Sequence, residues 1–217
     1  TIWWNTSPQH WLTRVRMNLV NEKKPSLRIS HIVYGRQSVG NKVKYLVDPK
    51  GLGAESKTPE KLVLKRWRQR KFEGYIFKGA KLSSTLWRAW FVVFGEIDVA
   101  TLSEVQIKAM VETSKNKLEP KYLKLPEPGA ILALAKHCKM DRIKTLLKRH
   151  NDHSHEGKSG VPDLFLYAIH EISGSVSIAR FVEVKKPDEP IREDQKTELA
   201  LLDALGFHAR VFRLIER

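Results

Sequence analysis

Three residues in the last third of the chain have the types and spacing needed for cation-assisted hydrolysis. Glu183 and Lys185 are two apart in the run Phe181-Val182-Glu183-Val184-Lys185, which predicts a strand that carries both side chains on one face. Asp163 follows Pro162 at the start of another predicted strand, which we expect to pair with the first as a hairpin. The pattern therefore predicts that an aspartate, a glutamate and a lysine converge at one edge of a sheet.

This group of side chains suits a hard divalent cation. Asp163 and Glu183 would supply carboxylate oxygens to Mg²⁺ or Mn²⁺, and the backbone carbonyl of Val184 would be a third ligand. Lys185 would orient or deprotonate an attacking water, or stabilise charge that develops on a phosphate. The alternative is that Glu183 and Lys185 are solvent-facing residues of a half-buried strand, because a Glu-x-Lys triplet alone is common.

The elements around these residues favour the site. Strands are predicted over Asp163–Ile169, Ala179–Lys185 and Phe207–Leu214, and an amphipathic helix over Arg192–Leu205 that ends at Gly206. The order is strand, strand, helix, strand, and a helical connection joins strands that run parallel. We therefore predict an α/β fold in which a small mixed sheet is flanked by helices.

The composition indicates a polyanionic partner. The chain of 217 residues contains 39 Lys and Arg against 24 Asp and Glu, a formal net charge of +15. Such an excess favours nucleic acid ahead of anionic membranes and acidic proteins. Hydrophobic residues at 41% exclude wholesale disorder, and the absence of an apolar run of about 20 residues argues against an integral membrane protein. The single cysteine, Cys138, excludes a disulfide framework and is expected in the core.

A cationic segment precedes the predicted site by a hundred residues. Thr58-Pro59 is a typical helix start, and the helix is expected to continue to about Arg70. Its second half, Lys65 to Lys71, holds five cations around Trp67. Arg66, Arg68 and Arg70 are therefore candidate DNA-backbone contacts, with the indole anchored beneath them. An ordinary solvated helix face is the equally weighted alternative.

The remaining elements predict an extension followed by a larger domain. Two runs, His31–Ser38 and Lys42–Val47, are typical of a β-hairpin, so residues 1–57 are predicted to be an N-terminal extension and 58–217 the main domain. Leu82–Ile97, with its tryptophans, is predicted to be a buried helix, and Ser103 to Gln106 has the spacing of a capping box.

Histidines in a polar segment form a second candidate metal site. His150, His153 and His155 lie beside Asp152 and Glu156, but no complementary ligands accompany them in the sequence. A flexible loop near DNA is the favoured interpretation. Lys158, Lys186 and Arg192 flank the Asp163 and Glu183 group and are candidate phosphate contacts, although each could equally be an ordinary surface cation.

These motifs resemble a known nuclease family. Gly160-Val161-Pro162-Asp163-Leu164, then Phe181 to Asp188, then Gln195, are similar to the VRR-NUC branch of the PD-(D/E)XK nucleases, and the similarity covers roughly residues 157–217. The resemblance implies a restriction-endonuclease-like core and metal-dependent hydrolysis of DNA. It also implies that Asp163 and Glu183 are metal ligands, that Lys185 is the catalytic lysine, and that Gln195 supports the site.

A looser similarity to the Fanconi-associated nuclease group extends upstream over residues 59–97 and 130–160. It places Lys78 at the position of an acidic family residue, where a lysine would repel a cation. Three explanations stay open. The enzyme is silenced, the site works with fewer acids, or Glu73, Glu96 or Glu104 substitutes.

The family serves two biological roles, and a third interpretation is non-catalytic. One role is repair of flaps or branched DNA. The other, which the sequence modestly favours, is a toxin at the C-terminus of a bacterial type VI effector, acting in the cytoplasm of a target cell and opposed by an acidic immunity protein. The start Thr1-Ile2-Trp3-Trp4 lacks an initiator Met and a signal pattern, so we expect a piece of a longer protein. A DNA-binding module without catalytic activity would need no metal.

Overall fold

The computed structural model describes residues 27–39, 42–46, 55–56, 58–116, 124–152 and 160–216. Residues 1–26 of the predicted N-terminal extension lie outside these residues, as do the turn after Val39, Lys158, His153, His155 and Glu156. Within the described residues the strands are β1 Ile29–Val39, β2 Lys42–Leu46, β3 Glu55–Ser56, β4 Tyr75–Lys81, β5 Leu164–His170, β6 Val176–Lys185 and β7 Arg210–Glu216. The helices are α1 Pro59–Arg68, α2 Leu86–Phe94, α3 Glu104–Thr113, α4 Pro128–Cys138, α5 Met140–Asp152 and α6 Glu193–Ala204.

The strands form one mixed sheet in the order β3-β2-β1-β7-β6-β5-β4. β7 runs parallel to both of its neighbours, β1 and β6, and the other pairs are antiparallel. The predicted parallel pair across α6 is therefore confirmed, and so is the hairpin of β1 and β2. The sheet is larger than expected because that hairpin joins it through β7. The boundary at residue 57 stays a prediction, and strands on both sides of it belong to one sheet.

Local sequence signals set the helix ends. Thr58 caps α1, and its hydroxyl accepts the Lys61 amide at 3.4 Å, while Pro59 occupies the first turn. Ser103 and Gln106 form the predicted capping box at the start of α3. These caps satisfy backbone groups that a helix start would otherwise leave unpaired.

Each face of the sheet carries its own core. The face that holds Phe165 and Phe181 packs against α2, α4, α5 and α6, and we call it the helical face. The opposite face holds Leu166 and Val182 and packs against α1 through Leu62, Val63 and Trp67, and we call it the α1 face. Because successive strand residues alternate between faces, each strand of the centre contributes to both cores. Within the described residues, no helix is long and apolar enough to span a bilayer.

The predicted core residues of the helical face are buried. Trp87 and Trp90 of α2 are 2% and 0% exposed, and Cys138 at the end of α4 is 0% exposed. Full burial of a large apolar side chain stabilises the folded state by roughly 1.5–3 kcal/mol. The prediction that these residues fill the core is confirmed, and burial raises the pKa of the Cys138 thiol, which disfavours a reactive thiolate.

Candidate functional site

The structure brings Asp163, Glu183 and Lys185 together where β5 begins and β6 ends. The two strands are antiparallel, with Leu164 opposite Val182, so the residue before β5 lies beside the last residues of β6. The Asp163 carboxylate accepts the backbone amide of Val184 at 2.8 Å through Oδ2. This bond ties the aspartate to the strand that carries the glutamate and the lysine.

Lys185 is a buried cation, and two carboxylates compensate its charge. Its side chain is 2% exposed, and Nζ lies 3.2 Å from Oε1 of Glu183 and 3.2 Å from Oε1 of Glu189. Oε2 of Glu189 accepts the Lys186 amide at 3.2 Å, which orients the carboxylate. A buried ammonium group is stable only when it is paired in this way. Sequence reasoning missed Glu189.

Gln195 connects α6 to the site. Its side chain is buried, and Nε2 donates a hydrogen bond to Oε1 of Glu183. Its Oε1 accepts the backbone amide of Arg192 at 3.1 Å, so the same side chain caps α6. Two donors, from Gln195 and Lys185, therefore converge on Oε1 of Glu183, and the other carboxylate oxygen takes part in neither bond.

The two carboxylates lie in an environment that is short of positive charge. Burial, followed by the charge of Asp163, raises the pKa of Glu183 to about 7, although Lys185 opposes the shift. Burial also raises the pKa of Asp163, against the stabilising bond from Val184. Burial is the largest cause of both shifts, and the neighbouring cations do not offset it. A bound cation would favour the ionised form of both carboxylates.

Glu60 is the third acid near this pair, and sequence reasoning missed it. It lies in the first turn of α1, and its charge raises the pKa of Asp163. Its Oε2 is buried without a hydrogen-bond partner among the described residues. A glutamate in a first helical turn is ordinary, because it complements the helix dipole, so its position in the sequence carried no signal for a site.

The three acids proposed as substitutes lie elsewhere. Glu104 lines a recess of about 540 Å³ together with Glu127, Arg68 and Lys78. Glu96 pairs with Lys144 at 3.6 Å, and Glu73 is exposed in the turn before β4. The acid whose charge most raises the pKa of Asp163 is Glu60 instead.

Lys78 lies on β4 opposite Tyr167, in the same recess as Glu104. The contact with Asp163 lies four residues after Lys78, at Leu82, whose amide donates to the Asp163 carbonyl at 2.7 Å. At about 3.3 Å per strand residue, Lys78 is more than 10 Å along the strand from that contact. Lys81, at the end of β4, is one of the charges that lower the pKa of Asp163.

The predicted DNA contacts fall into two groups. Lys186 and Arg192 lie beside the site, the first exposed and the second paired with Asp194 through two bonds of 3.0 Å. The second group consists of the arginines of α1, a helix that packs on the α1 face of the sheet. Arg68 is exposed and donates to the Gly79 carbonyl at 2.7 Å, and Arg66 of the same helix is half-buried. The structure therefore does not bring the α1 arginines to the carboxylate pair.

His150 lies in the last turns of α5, in agreement with a helix that the sequence predicts over residues 141–150. α5 continues through it, and its Nε2 lies 2.8 Å from Oε1 of Glu198 on α6. Arg149 contacts Oε2 of the same carboxylate at 3.3 Å. The histidine therefore joins α5 to α6, and the described residues offer it no metal partner.

Gly160 allows α6 to approach the start of β5. Its φ is +67°, and a Cβ there would lie 2.6 Å from the Asp194 carbonyl oxygen. Any larger residue would separate the segment before Asp163 from the helix that carries Gln195. The glycine thus brings the two sides of the site together.

The donor set fits a cation that keeps much of its water. Within the described part of the chain no group of three or more His, Cys, Asp or Glu residues is placed to hold a metal. Asp163, Glu183 and the Val184 carbonyl would therefore supply two carboxylates and one carbonyl, with Glu60 nearby. Mg²⁺ commonly binds through one or two carboxylates plus water and phosphate oxygens. The site is compatible with such an ion, and Mn²⁺ accepts the same oxygen ligands.

A pH dependence of stability follows from the Glu183 carboxyl. Its pKa of about 7 in the folded protein lies above its ordinary value, so the folded state holds a proton that the unfolded state releases as the pH rises. In chelator, the free energy of unfolding is therefore expected to fall between about pH 4.5 and 7.

Urea unfolding at pH 5, 6, 7 and 8 (roughly the range over which this group titrates) would test this expectation. Glu183→Gln should lose much of the fall, because it cannot ionise, whereas Glu112→Gln on an exposed helix face should keep it. If the free energy of unfolding falls with pH equally in the wild type and in Glu183→Gln, the pH dependence does not come from Glu183.

Comparison with known proteins identifies one family. The family model described as the VRR-NUC domain matches residues 102–213, about half of the chain. The described chain has the predicted α/β fold, a mixed sheet flanked by helices, and that prediction is confirmed. No curated protein matches the sequence.

Two solved structures are similar to this chain over most of its length. A crystal structure of paFAN1 bound to DNA with a two-nucleotide 5′ flap and a gap has a TM-score of 0.49 and 13% identity, over 96% of this chain and 42% of that one. A second, with a one-nucleotide flap, has a TM-score of 0.47 and 14% identity, over 99% of this chain and 44% of that one. This chain thus spans less than half the length of those proteins.

Proposed function

Because the chain belongs to the VRR-NUC domain family, we propose that it is a DNA nuclease that hydrolyses phosphodiester bonds with Mg²⁺ or Mn²⁺. The observation that carries the proposal is the convergence of Asp163, Glu183 and the buried Lys185 at one end of β5 and β6. The net charge of +15 supports a polyanionic substrate.

Each residue of the site has a role in this proposal. Asp163, Glu183 and the Val184 carbonyl would hold the cation, which when bound would supply activation of water and compensation of charge on the phosphate. Lys185 presents an ammonium group to the reacting phosphate, and its pairing with Glu183 and Glu189 fixes its position. Gln195 holds Glu183 in place, and Lys186 and Arg192 contact backbone phosphates beside the site.

Asp163→Asn tests the proposal directly. Asparagine keeps an acceptor for the Val184 amide but removes the charge that a cation needs, so we expect cleavage to fall by at least about 100-fold. The assay is cleavage of supercoiled plasmid with Mg²⁺, Mn²⁺ or chelator, together with calorimetric titration of Mn²⁺.

The matched control is Asp141→Asn, which changes an exposed aspartate of α5 and should cleave like the wild type. Cleavage in chelator, or wild-type cleavage by Asp163→Asn, would refute the proposed metal site. Loss of cleavage with unchanged Mn²⁺ affinity would assign Asp163 a role other than metal binding.

Lys78→Glu tests whether Lys78 occupies the position of an acidic residue in the active site of the similar nucleases. The recess around Lys78 is separated from Asp163 by several residues of β4, so we expect cleavage and Mn²⁺ affinity close to those of the wild type. A rise in both would place Lys78 in the site and identify the chain as a silenced nuclease. DNA binding without cleavage by either protein would favour a binding module.

The biological role is the finer part of the proposal. A toxin that destroys DNA in the cytoplasm of a target cell should cut intact plasmid efficiently, and its cationic surface would suit an acidic immunity protein. A repair nuclease should prefer a 5′-flap or branched duplex over plasmid. Rates on both substrates, measured with the same protein preparation, separate these roles.

A further inference from the structure

A cluster of arginines lies on the α1 face, away from the carboxylate pair. Trp67 is 2% exposed, and its Nε1 donates to the carbonyls of Lys78 and Tyr167 at 2.8 and 3.1 Å. The guanidinium carbon of Arg70 lies 4.8 Å from the centre of the indole ring, and that of Arg180 lies 5.3 Å from it. Two cationic groups therefore contact the same indole ring.

Arg210 adds a third guanidinium group to this cluster. Arg180 and Val182 are two apart in β6 and share a face, and Val182 pairs with Arg210 in β7. Burial, and then the charges of Arg210 and Arg70, lower the pKa of Arg180. The Nε atom of Arg210 is buried without a hydrogen-bond partner among the described residues.

This arrangement is costly unless an anion joins it. The described residues provide no salt bridge to Arg70, Arg180 or Arg210, although they provide carboxylate partners for other cations, such as Arg149 and Lys185. Three like charges repel one another, and an unpaired buried donor loses its hydrogen bonds to water. A stable protein retains such a group where a ligand compensates it.

We propose that Arg70, Arg180 and Arg210 form a phosphate-binding site on the α1 face. Guanidinium groups donate paired, parallel hydrogen bonds that match phosphate oxygens, and the stacking on Trp67 orients two of the three. β6 carries Arg180 on the face opposite to Glu183 and Lys185, so this site is separate from the carboxylate pair. The phosphate belongs either to the backbone of DNA that extends past the cleavage position or to a free phosphorylated molecule.

Inorganic phosphate is the first probe. We expect sodium phosphate to raise the thermal midpoint of the wild-type protein above its value in sodium chloride of equal ionic strength. Arg180→Gln and Arg70→Gln should abolish that difference, and Arg70 is exposed enough that its replacement leaves the fold intact. Lys108→Gln, which removes an exposed cation on α3, is the matched control and reports the general salting effect of phosphate.

A DNA arm distinguishes the two sources of phosphate. Fluorescence anisotropy of a labelled duplex, measured in chelator over a series of salt concentrations, reports binding without cleavage, so the result does not depend on the proposed enzyme activity. If the site binds backbone phosphate, Arg180→Gln should reduce the slope of log affinity against log salt by about 0.9 for each DNA phosphate that the variant leaves unneutralised. An unchanged slope, in a variant that phosphate no longer stabilises, identifies a free phosphorylated ligand.

The proposal fails if phosphate shifts the midpoints of the wild-type, Arg180→Gln and Lys108→Gln proteins equally. It also fails if Arg180→Gln is more stable than the wild type in phosphate. That result would mean that phosphate does not compensate the repulsion among the three arginines.

Discussion

Lys185→Met is expected to reduce DNA cleavage by at least about 100-fold, the usual cost of losing one group that stabilises charge in a transition state. Methionine is unbranched and fills similar space, so the variant removes the ammonium group but not the packing. Nζ contacts both Glu183 and Glu189 at 3.2 Å, which places the charge at the carboxylate pair.

The same substitution should change how the site titrates. Lys185 lowers the pKa of Glu183, so its removal should raise that pKa further above about 7 and shift Mn²⁺ binding to higher pH. Two measurements test this: initial rates of plasmid cleavage, and Mn²⁺ titrations, each at about pH 7 and about pH 8.5. These values bracket roughly the expected rise in the pKa of Glu183. A residue with a purely structural role would not move the pH at which the metal binds.

Lys186→Met is the matched control for this prediction. Lys186 is the next residue along the chain, and its side chain is exposed. We expect its replacement to weaken DNA binding, because one cation that faces the phosphates is removed, and to retain cleavage at saturating DNA. Equal reductions of cleavage in the two variants, or near-wild-type cleavage by Lys185→Met, would contradict the assigned role of Lys185.

Glu198→Ala is expected to destabilise the protein by about 3–5 kcal/mol, since it breaks a buried ion pair from one side. Glu198 is 0% exposed, and its carboxylate accepts His150 at 2.8 Å and Arg149 at 3.3 Å. The alanine would leave these groups without their partner and would open a cavity between α5 and α6. Urea unfolding followed by far-ultraviolet circular dichroism measures the destabilisation.

Two comparisons make this prediction specific. Glu112→Ala breaks an exposed pair with Lys115, and such pairs contribute about 0–1 kcal/mol, so its effect should be small. Glu198→Gln retains volume and one acceptor, and should lie between the alanine variant and the wild type. A destabilisation below about 1 kcal/mol for Glu198→Ala would show that the buried network is not a major source of stability.

Much of the fold could be predicted because its signals are local. Thr58-Pro59 and the capping box at Ser103 mark helix starts by their residue types alone, and the structure has helices there. The alternation around Glu183 and the glycine at 206 predicted a strand, a helix and a parallel strand in the right order. The pairing of β1 with β7 could not be predicted, because nothing in either strand specifies a partner about 180 residues away.

The site was only partly predictable for a related reason. Asp163, Glu183 and Lys185 lie in recognisable strands, so the topology alone brings them near one another. Glu189 follows in the connection after β6, where its role depends on the path that the backbone takes. Glu60 and Arg210 approach their neighbours only through packing of α1 and β7 on the sheet, and single residues of ordinary type carry no such information.

The position of β7 has a consequence for how the protein is made. β7 is the last of the described strands along the chain, yet it lies in the middle of the sheet, between β1 and β6. Until the ribosome has released it, β1 to β3 and β4 to β6 remain two separate half-sheets, each with an open edge. Such edges pair readily with other chains, so the nascent protein passes through a stage prone to aggregation. The end of β6 that carries Glu183 and Lys185 thus gains its second neighbouring strand only after β7 has been synthesised.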